Sequence, residues 1–71
     1  MNDDPFNVIA EHYHQLENLP VMVCVLETAG GLFFTGNSTS GRERFNPDLA
    51  RNFALSSANH AMARWRERHS R

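Results

Sequence analysis

The clearest hydrophobic pattern in the chain is a pair of apolar runs joined by two glycines. Residues 21–26, VMVCVL, are all apolar and rich in β-branched side chains, and residues 32–35, LFFT, resume that composition after Gly30-Gly31. Pro20 prevents a helix from running into the first segment, and the glycines supply the positive φ that tight hairpin turns need. The pattern therefore predicts a β-hairpin over residues 21–36.

The first strand of this hairpin is apolar on both of its faces. Side chains alternate between the faces of a strand, so Val21, Val23 and Val25 point away from the three apolar residues between and after them. A solvated antiparallel strand alternates between apolar and polar residues, so this strand needs cover on both sides. Because an isolated hairpin is marginally stable in water, helices or a second molecule must supply that cover. Self-association into a homodimer is therefore expected.

A short helix is predicted before the hairpin. Asp4 suits the N-cap position, Pro5 suits the first helical position, and apolar residues follow at helical spacing up to about Glu17. The residues that would share one face are Phe6, Ile9, Ala10, Tyr13 and Leu16. Pro20 disfavours helix in the residue before it and so ends the segment.

A longer helix is predicted after the polar loop of residues 37–44. Asn46 is a good N-cap and Pro47 a good first residue, so the helix is expected to begin at Pro47 and to run to about His69. Phe45, Leu49 and Phe53 are expected to anchor its start. An alanine stripe that ends at a tryptophan lets the helix lie close to a neighbour: Ala50, Ala54, Ala58, Ala61 and Trp65. The expected fold class is α+β in the order α-β-β-α, with the antiparallel hairpin packed by the short N-terminal and the long C-terminal helix.

Length and charge narrow the class of protein. The chain of 71 residues forms one small domain, 1–71, and its single cysteine, Cys24, has no partner for an internal disulfide. With no signal peptide and no long apolar segment, the expected location is the cytoplasm, without membrane contact. Residues 1–40 hold five acids and no Arg or Lys (−5), whereas residues 41–71 hold seven Arg and three acids (+4), which gives the net charge of −1. Such asymmetry favours a partner on one face or head-to-tail association.

One set of motifs carries a family resemblance. An apolar strand over residues 23–26 is followed by an aromatic strand that closes on Thr-Gly-x-Ser over residues 33–38, and residues 45–51, FNPDLAR, open an alanine-rich helix that reaches Trp65. This pattern resembles small accessory proteins of tailed bacteriophages, over about two-thirds of the chain. The resemblance implies a phage or prophage origin and action inside a bacterial cell, and it brings no catalytic residues. The chain departs from the family after the tryptophan, where it reads Arg-Glu-Arg.

Patterns for catalysis or metal binding are weak. His12 and His14 are two residues apart, so on a helix they would not face each other, and neither forms a known ligand motif with His60 or His69. The glycines at 36 and 41 lack the Lys-Ser/Thr pair of a phosphate-binding loop. No nucleophile elbow or paired carboxylate supports a catalytic triad. We therefore expect no enzyme activity, no cofactor and no metal.

The arginines of the C-terminal part are the best candidate for a binding site. The candidate residues are Arg42, Arg44, Arg64, Trp65, Arg66 and Arg68. Arginine attracts phosphate, and Arg and Trp stack on bases, but nucleic-acid-binding domains are usually strongly basic and this chain is slightly acidic. Basic residues in the last helical turn also suit the helix dipole without any partner. An acidic protein surface is a further possible partner.

The most consistent function is that of a small phage-type protein that binds a host bacterial protein or complex without catalysis. An inhibitor of host defence, anti-CRISPR-like, or of host regulation fits this description. The alternative is a small nucleic-acid-binding regulator that uses the arginine-rich helix, and a third possibility is a virion or assembly component. The sequence alone does not select among host targets, because binding surfaces leave no motif.

Overall fold

The computed structural model describes residues 4–41 and 45–69. In chain order it contains the strands β1 (Val8–Gln15), β2 (Val21–Thr28) and β3 (Phe33–Thr39), followed by the helix α1 (Pro47–His69). The strands form an antiparallel sheet in the order β1-β2-β3. The helix packs on one face of this sheet, mostly on β3 and less on β2. The architecture is therefore β-β-β-α and not the predicted α-β-β-α.

The predicted N-terminal helix is wrong, because its residues form β1 along the edge of β2. The pairing register shifts around Ile9, which is an extra residue in a β-bulge. The extra residue breaks the two-residue alternation of side chains in β1, so its apolar residues lack the regular pattern of a strand. Asp4, predicted as an N-cap, closes a turn instead: its Oδ1 accepts a hydrogen bond from the Phe6 N–H at 2.9 Å and its carbonyl accepts one from the Asn7 N–H at 3.1 Å.

The predicted hairpin is present as β2 and β3, joined by a tight turn. The Gly31 N–H donates to the Thr28 carbonyl at 3.0 Å, and Gly31 has a φ of 80°, where a residue with a Cβ would be strained. Thr28 is buried, and its hydroxyl accepts a hydrogen bond from the Leu32 N–H at 3.1 Å and donates one to the Leu32 carbonyl at 3.2 Å. The turn thus satisfies its own buried hydroxyl group.

The predicted C-terminal helix is confirmed, with both of its bounds. Asn46 caps it, because its Oδ1 accepts hydrogen bonds from the N–H groups of Asp48 at 3.0 Å and Leu49 at 3.4 Å. The expectation that Leu49 and Phe53 anchor its start is wrong, since both side chains are largely exposed. Phe45 does pack against the core. The side that faces the sheet carries alanines in place of large side chains.

The helix approaches the sheet most closely at Gly36. A Cβ placed on Gly36 would lie 2.5 Å from the Ala54 carbonyl oxygen and closer still to the Ala58 nitrogen, so the helix backbone rests on the strand there. Further along, the rings of Phe34 and Trp65 lie 6.0 Å apart, so α1 runs antiparallel to β3. The core between the two layers consists of Met22, Cys24, Leu26, Phe34, Ala50, Ala54 and Ala58.

Candidate binding surfaces

The face of the sheet opposite the helix carries the first candidate surface, which we call the open sheet face. Cross-strand partners share a face in an antiparallel pair, so each row of this face is read from the register. Its rows are Ala10–Glu27–Phe33, His12–Val25–Thr35, His14–Val23–Asn37 and Val21–Thr39. Within residues 4–41 and 45–69, no helix or further strand packs against this face. The second apolar face predicted for the strand of residues 21–26 is therefore uncovered.

The open sheet face has an apolar centre and polar sides. The centre of the face is formed along β2 by Val21, Val23 and Val25, which are half-buried between the neighbouring strands, whereas Phe33 is 63% exposed. Histidines border these valines on the β1 side, and Thr and Asn side chains border them on the β3 side. The only ion pair of the face among the described residues joins His12 Nε2 to Glu27 Oε1 at 3.7 Å, with both groups accessible to water. Such a pair contributes little to stability.

The second candidate surface is the C-terminal end of α1, where aromatic rings cluster. The Trp65 ring lies 5.6 Å from Phe6 and is stacked on His69 at 3.8 Å. His69 Nδ1 lies 2.9 Å from the Trp65 carbonyl oxygen, one turn earlier in the helix. The guanidinium of Arg66 lies 4.8 Å from the centre of the Phe6 ring, in cation–π geometry. This cluster fixes the N-terminal segment to the helix end.

Among the residues that the structure describes, the arginines of the predicted site do not form one patch. Arg64 and Arg68 are exposed and lie one turn apart on the same side of the helix. Arg66 is about 200° away from Arg64 around the axis and is engaged on Phe6. Trp65 is half-buried and packs against the core, so its surface is used mainly inside the molecule. The other two predicted residues, Arg42 and Arg44, lie outside the described residues.

Two groups with shifted pKa values lie next to each other between β1 and β2. Burial, and to a smaller extent the hydrogen bond from its hydroxyl to Glu11 Oε1 at 2.9 Å, together raise the pKa of Tyr13 to about 12. Burial also raises the pKa of the Cys24 thiol, against a smaller opposing effect of the Tyr13 hydrogen bond. Cys24 is fully buried, so it is a small apolar core residue and not an exposed thiolate.

Concave or metal-binding features are few in the described parts of the chain. A shallow cleft of about 240 Å³ lies beside the β1–β2 turn and is lined by Gln15, Asn18, Leu19, Pro20 and Phe45. A smaller groove of about 100 Å³ lies between the end of β3 and the start of α1. Over residues 4–41 and 45–69, no three or more His, Cys, Asp or Glu side chains form a group that could hold a metal ion. No helix in that part of the chain is both long enough and apolar enough to cross a membrane.

Comparison of this chain with protein-family models, with curated proteins and with solved structures found no match. The two candidate surfaces are therefore supported by the geometry of this structure alone. Sequence reasoning predicted the apolar centre of the open sheet face but missed its border on β1, because it assigned His12 and His14 to a helix. The signal that favours a strand there was present in composition, since residues 8–15 combine Val, Ile and Tyr, which are enriched in strands.

Proposed function

We propose that this protein acts without catalysis, by binding a bacterial protein through the open sheet face. The observation that supports the proposal is the uncovered apolar centre of that face, with its half-buried valines and its exposed Phe33. Apolar centres bordered by polar groups are the usual organisation of specific protein interfaces. Large exposed aromatic residues are also the side chains that most often dominate binding energy.

The resemblance to small phage accessory proteins supports a partner inside the bacterial host cell, in the cytoplasm. A protein of this size with no recognisable catalytic motif acts most directly by occupying a surface that another molecule needs. A host defence complex, such as one of the CRISPR type, or a regulator of host gene expression offers such surfaces. We therefore propose inhibition by surface occupancy as the mechanism.

A pull-down from nuclease-treated bacterial lysate with two matched double variants tests this proposal. His14→Glu with Phe33→Glu places charge on the open sheet face, and Arg64→Glu with Arg68→Glu reverses charge on the helix; all four side chains are exposed. We expect a stoichiometric host protein that the wild type and the helix variant retain and that the open-face variant loses. Circular dichroism of each variant checks that the fold is intact.

The opposite result relocates the site. If the open-face variant binds as the wild type does and the helix variant does not, the arginine-rich helix end is the binding surface. If no host protein is retained after nuclease treatment but one is retained without it, the protein-binding proposal fails. That outcome supports the alternative function below.

The alternative is a small nucleic-acid-binding regulator, and the exposed pair Arg64 and Arg68 is the observation that favours it. Two arginines one turn apart can contact neighbouring phosphates. If they make two such contacts, the logarithm of the binding constant falls with the logarithm of salt concentration with a slope of about −2. Fluorescence anisotropy with DNA and RNA across a salt series measures this slope, and the Arg64→Glu, Arg68→Glu variant is expected to abolish it. The net charge of −1 counts against this function.

A further inference from the structure

The outer edge of β3 is unpaired in the described chain, and its free backbone groups are identified by two hydrogen bonds. The Thr28 N–H donates to the Leu32 carbonyl at 3.0 Å, and the Ser40 N–H donates to the Pro20 carbonyl at 3.2 Å. In an antiparallel pair, residues alternate between bonding the partner strand and pointing away from it. The even-numbered residues of β3 therefore bond β2. The N–H and C=O groups that point outward belong to Phe33, Thr35, Asn37 and Thr39.

This edge has none of the features by which proteins usually protect an edge strand. β3 contains no charged residue and no proline, and its pairing with β2 shows no bulge. The opposite edge, β1, does contain a bulge, at Ile9, and it carries Glu11 and two histidines. Charges, prolines and bulges are the devices that prevent pairing between edges. Of the two edges, β3 is therefore the one open to pairing.

Exposed apolar side chains border the same edge on the helix side. Leu49 is 53% exposed and Phe53 is 62% exposed, and they lie one turn apart on α1. Both line the groove of about 100 Å³ whose opposite wall is formed by residues 38–40 at the end of β3. A strand docked on β3 would pass beneath these two side chains. Together the two side chains expose roughly 200 Å² of apolar surface on the helix side, toward the roughly 800 Å² per partner that a stable interface buries.

We propose that two copies of the chain join along β3 into one six-stranded sheet, with Leu49 and Phe53 of each copy packed over the partner. The edge is self-complementary: a two-fold axis at Gly36 pairs Phe33 with Thr39 of the partner subunit and Thr35 with Asn37 of the partner subunit. All four outward residues of each copy then bond, which gives eight backbone hydrogen bonds, from four N–H donors in each copy.

The helix geometry agrees with this arrangement. Because α1 runs antiparallel to its own β3, the axis places the two helices antiparallel and on the same side of the joined sheet. The side of α1 that faces the edge carries Leu49, Phe53, His60 and Arg64. No two side chains of like charge therefore face each other at the centre of the contact between the helices. The open sheet faces of the two copies become one continuous surface, which remains free for the partner proposed above.

Light scattering coupled to size-exclusion chromatography, over a concentration series, tests the proposal. We expect a mass of twice 8.1 kDa for the wild type. Phe53→Glu and Thr35→Pro are each expected to weaken the dimer at least about tenfold, the first by burying a charge and the second by removing an edge N–H. The matched controls are Leu19→Glu, an exposed leucine at the β1–β2 turn, and Gln15→Pro, whose N–H points outward on β1.

A monomer at every concentration overturns the proposal, and so does a dimer that resists both Phe53→Glu and Thr35→Pro. Equal loss in the two controls overturns it as well, because it would locate the interface elsewhere. These variants leave His14 and Phe33 unchanged, so the dimer and the host-protein proposal can fail separately. A foreign strand as the natural occupant of the edge would give the monomer result.

Discussion

Gly36 is the residue on which the contact between the two layers depends most directly. It lies on the helix-facing side of β3, beneath the backbone of Ala54 and Ala58. We expect Gly36→Ala to destabilise the protein by about 3 kcal/mol, since the added methyl must push the helix backbone away from the strand. Urea denaturation followed by the fluorescence of the single tryptophan, Trp65, measures this loss.

The matched control for that substitution is Gly41→Ala. A Cβ at Gly41 meets no atom within 4 Å, so its effect is expected to stay within about 0.5 kcal/mol of zero. If both alanine variants are equally stable, the close approach at Gly36 does not determine how the helix packs.

Tyr13 is a second residue with a measurable consequence, because it is the only tyrosine in the chain. Burial and the Glu11 hydrogen bond raise its pKa from 10.0 to about 12. The phenolate absorbance of the folded protein is therefore expected to appear mostly above pH 11, whereas the urea-unfolded chain titrates near pH 10. Coincident titration curves in the two states would contradict this environment for Tyr13.

The same shift makes the stability of the protein depend on pH in the alkaline range. Between about pH 10 and 12 the unfolded chain has lost the Tyr13 proton that the folded chain retains, so raising the pH favours unfolding. The contribution of Tyr13 is complete below pH 10 and is lost as the pH rises through 12. In Tyr13→Phe this part of the alkaline loss is expected to disappear, and a pH series of denaturation curves would reveal it.

The start of the helix α1 is determined by its local capping residues. The Asn46 side chain satisfies two N–H groups of the first turn, and Pro47 occupies the position where no N–H is needed. We expect Asn46→Ala to cost about 1 kcal/mol of unfolding free energy. Asn52→Ala is the control, because Asn52 is exposed within the helix, where alanine is the better helix former. Its effect is expected to have the opposite sign, and a loss of similar size in both would contradict the cap.

The elements that could be predicted from the sequence are those whose ends are marked by capping or turn residues. The caps of α1 and the glycines of the β2–β3 turn are short-range signals, and both elements are present, although β3 continues past the predicted end at Gly36 to Thr39. β1 could not be predicted in this way, because the bulge at Ile9 breaks its alternation and Asp4-Pro5 suits a turn as well as a helix start. Its pairing with β2 is a long-range contact, which overrides the local helical period.

The candidate site was predictable only in part, for the same reason. That the strand of residues 21–26 would have a second apolar face follows from its composition, and the structure places Val21, Val23 and Val25 on the open sheet face. The polar border of that face depends on β1 and so could not be foreseen. The structure also places Arg66 on Phe6 and away from Arg64, because residues two apart on a helix point in different directions.

In the molecule as a whole, the helix gives the three strands of the sheet unequal cover. α1 rests on β3 and β2, so among the described residues β2 is the one strand that has a strand on each side and the helix above it. β1 lies at the far edge and pairs with β2. The segment before it is held by hydrogen bonds from the Ala29 and Gly30 N–H groups and by the packing of the Phe6 ring on Trp65. The chain thus has one edge that is bulged and charged and one that is flat and neutral, and these two edges should behave differently.

Amide hydrogen exchange compares the two edges within a single sample. The outward N–H groups of β3 belong to Phe33, Thr35, Asn37 and Thr39, and those of β1 belong to Glu11, Tyr13 and Gln15. In a monomer both sets face water and exchange rapidly, because neither donates to a strand. In the proposed dimer only the β3 set acquires hydrogen-bond partners, so its exchange is expected to slow with rising protein concentration while the β1 set stays fast. Slowing of the β1 set instead would assign the interface to the other edge, and the absence of slowing in either set would contradict pairing between two copies of the chain.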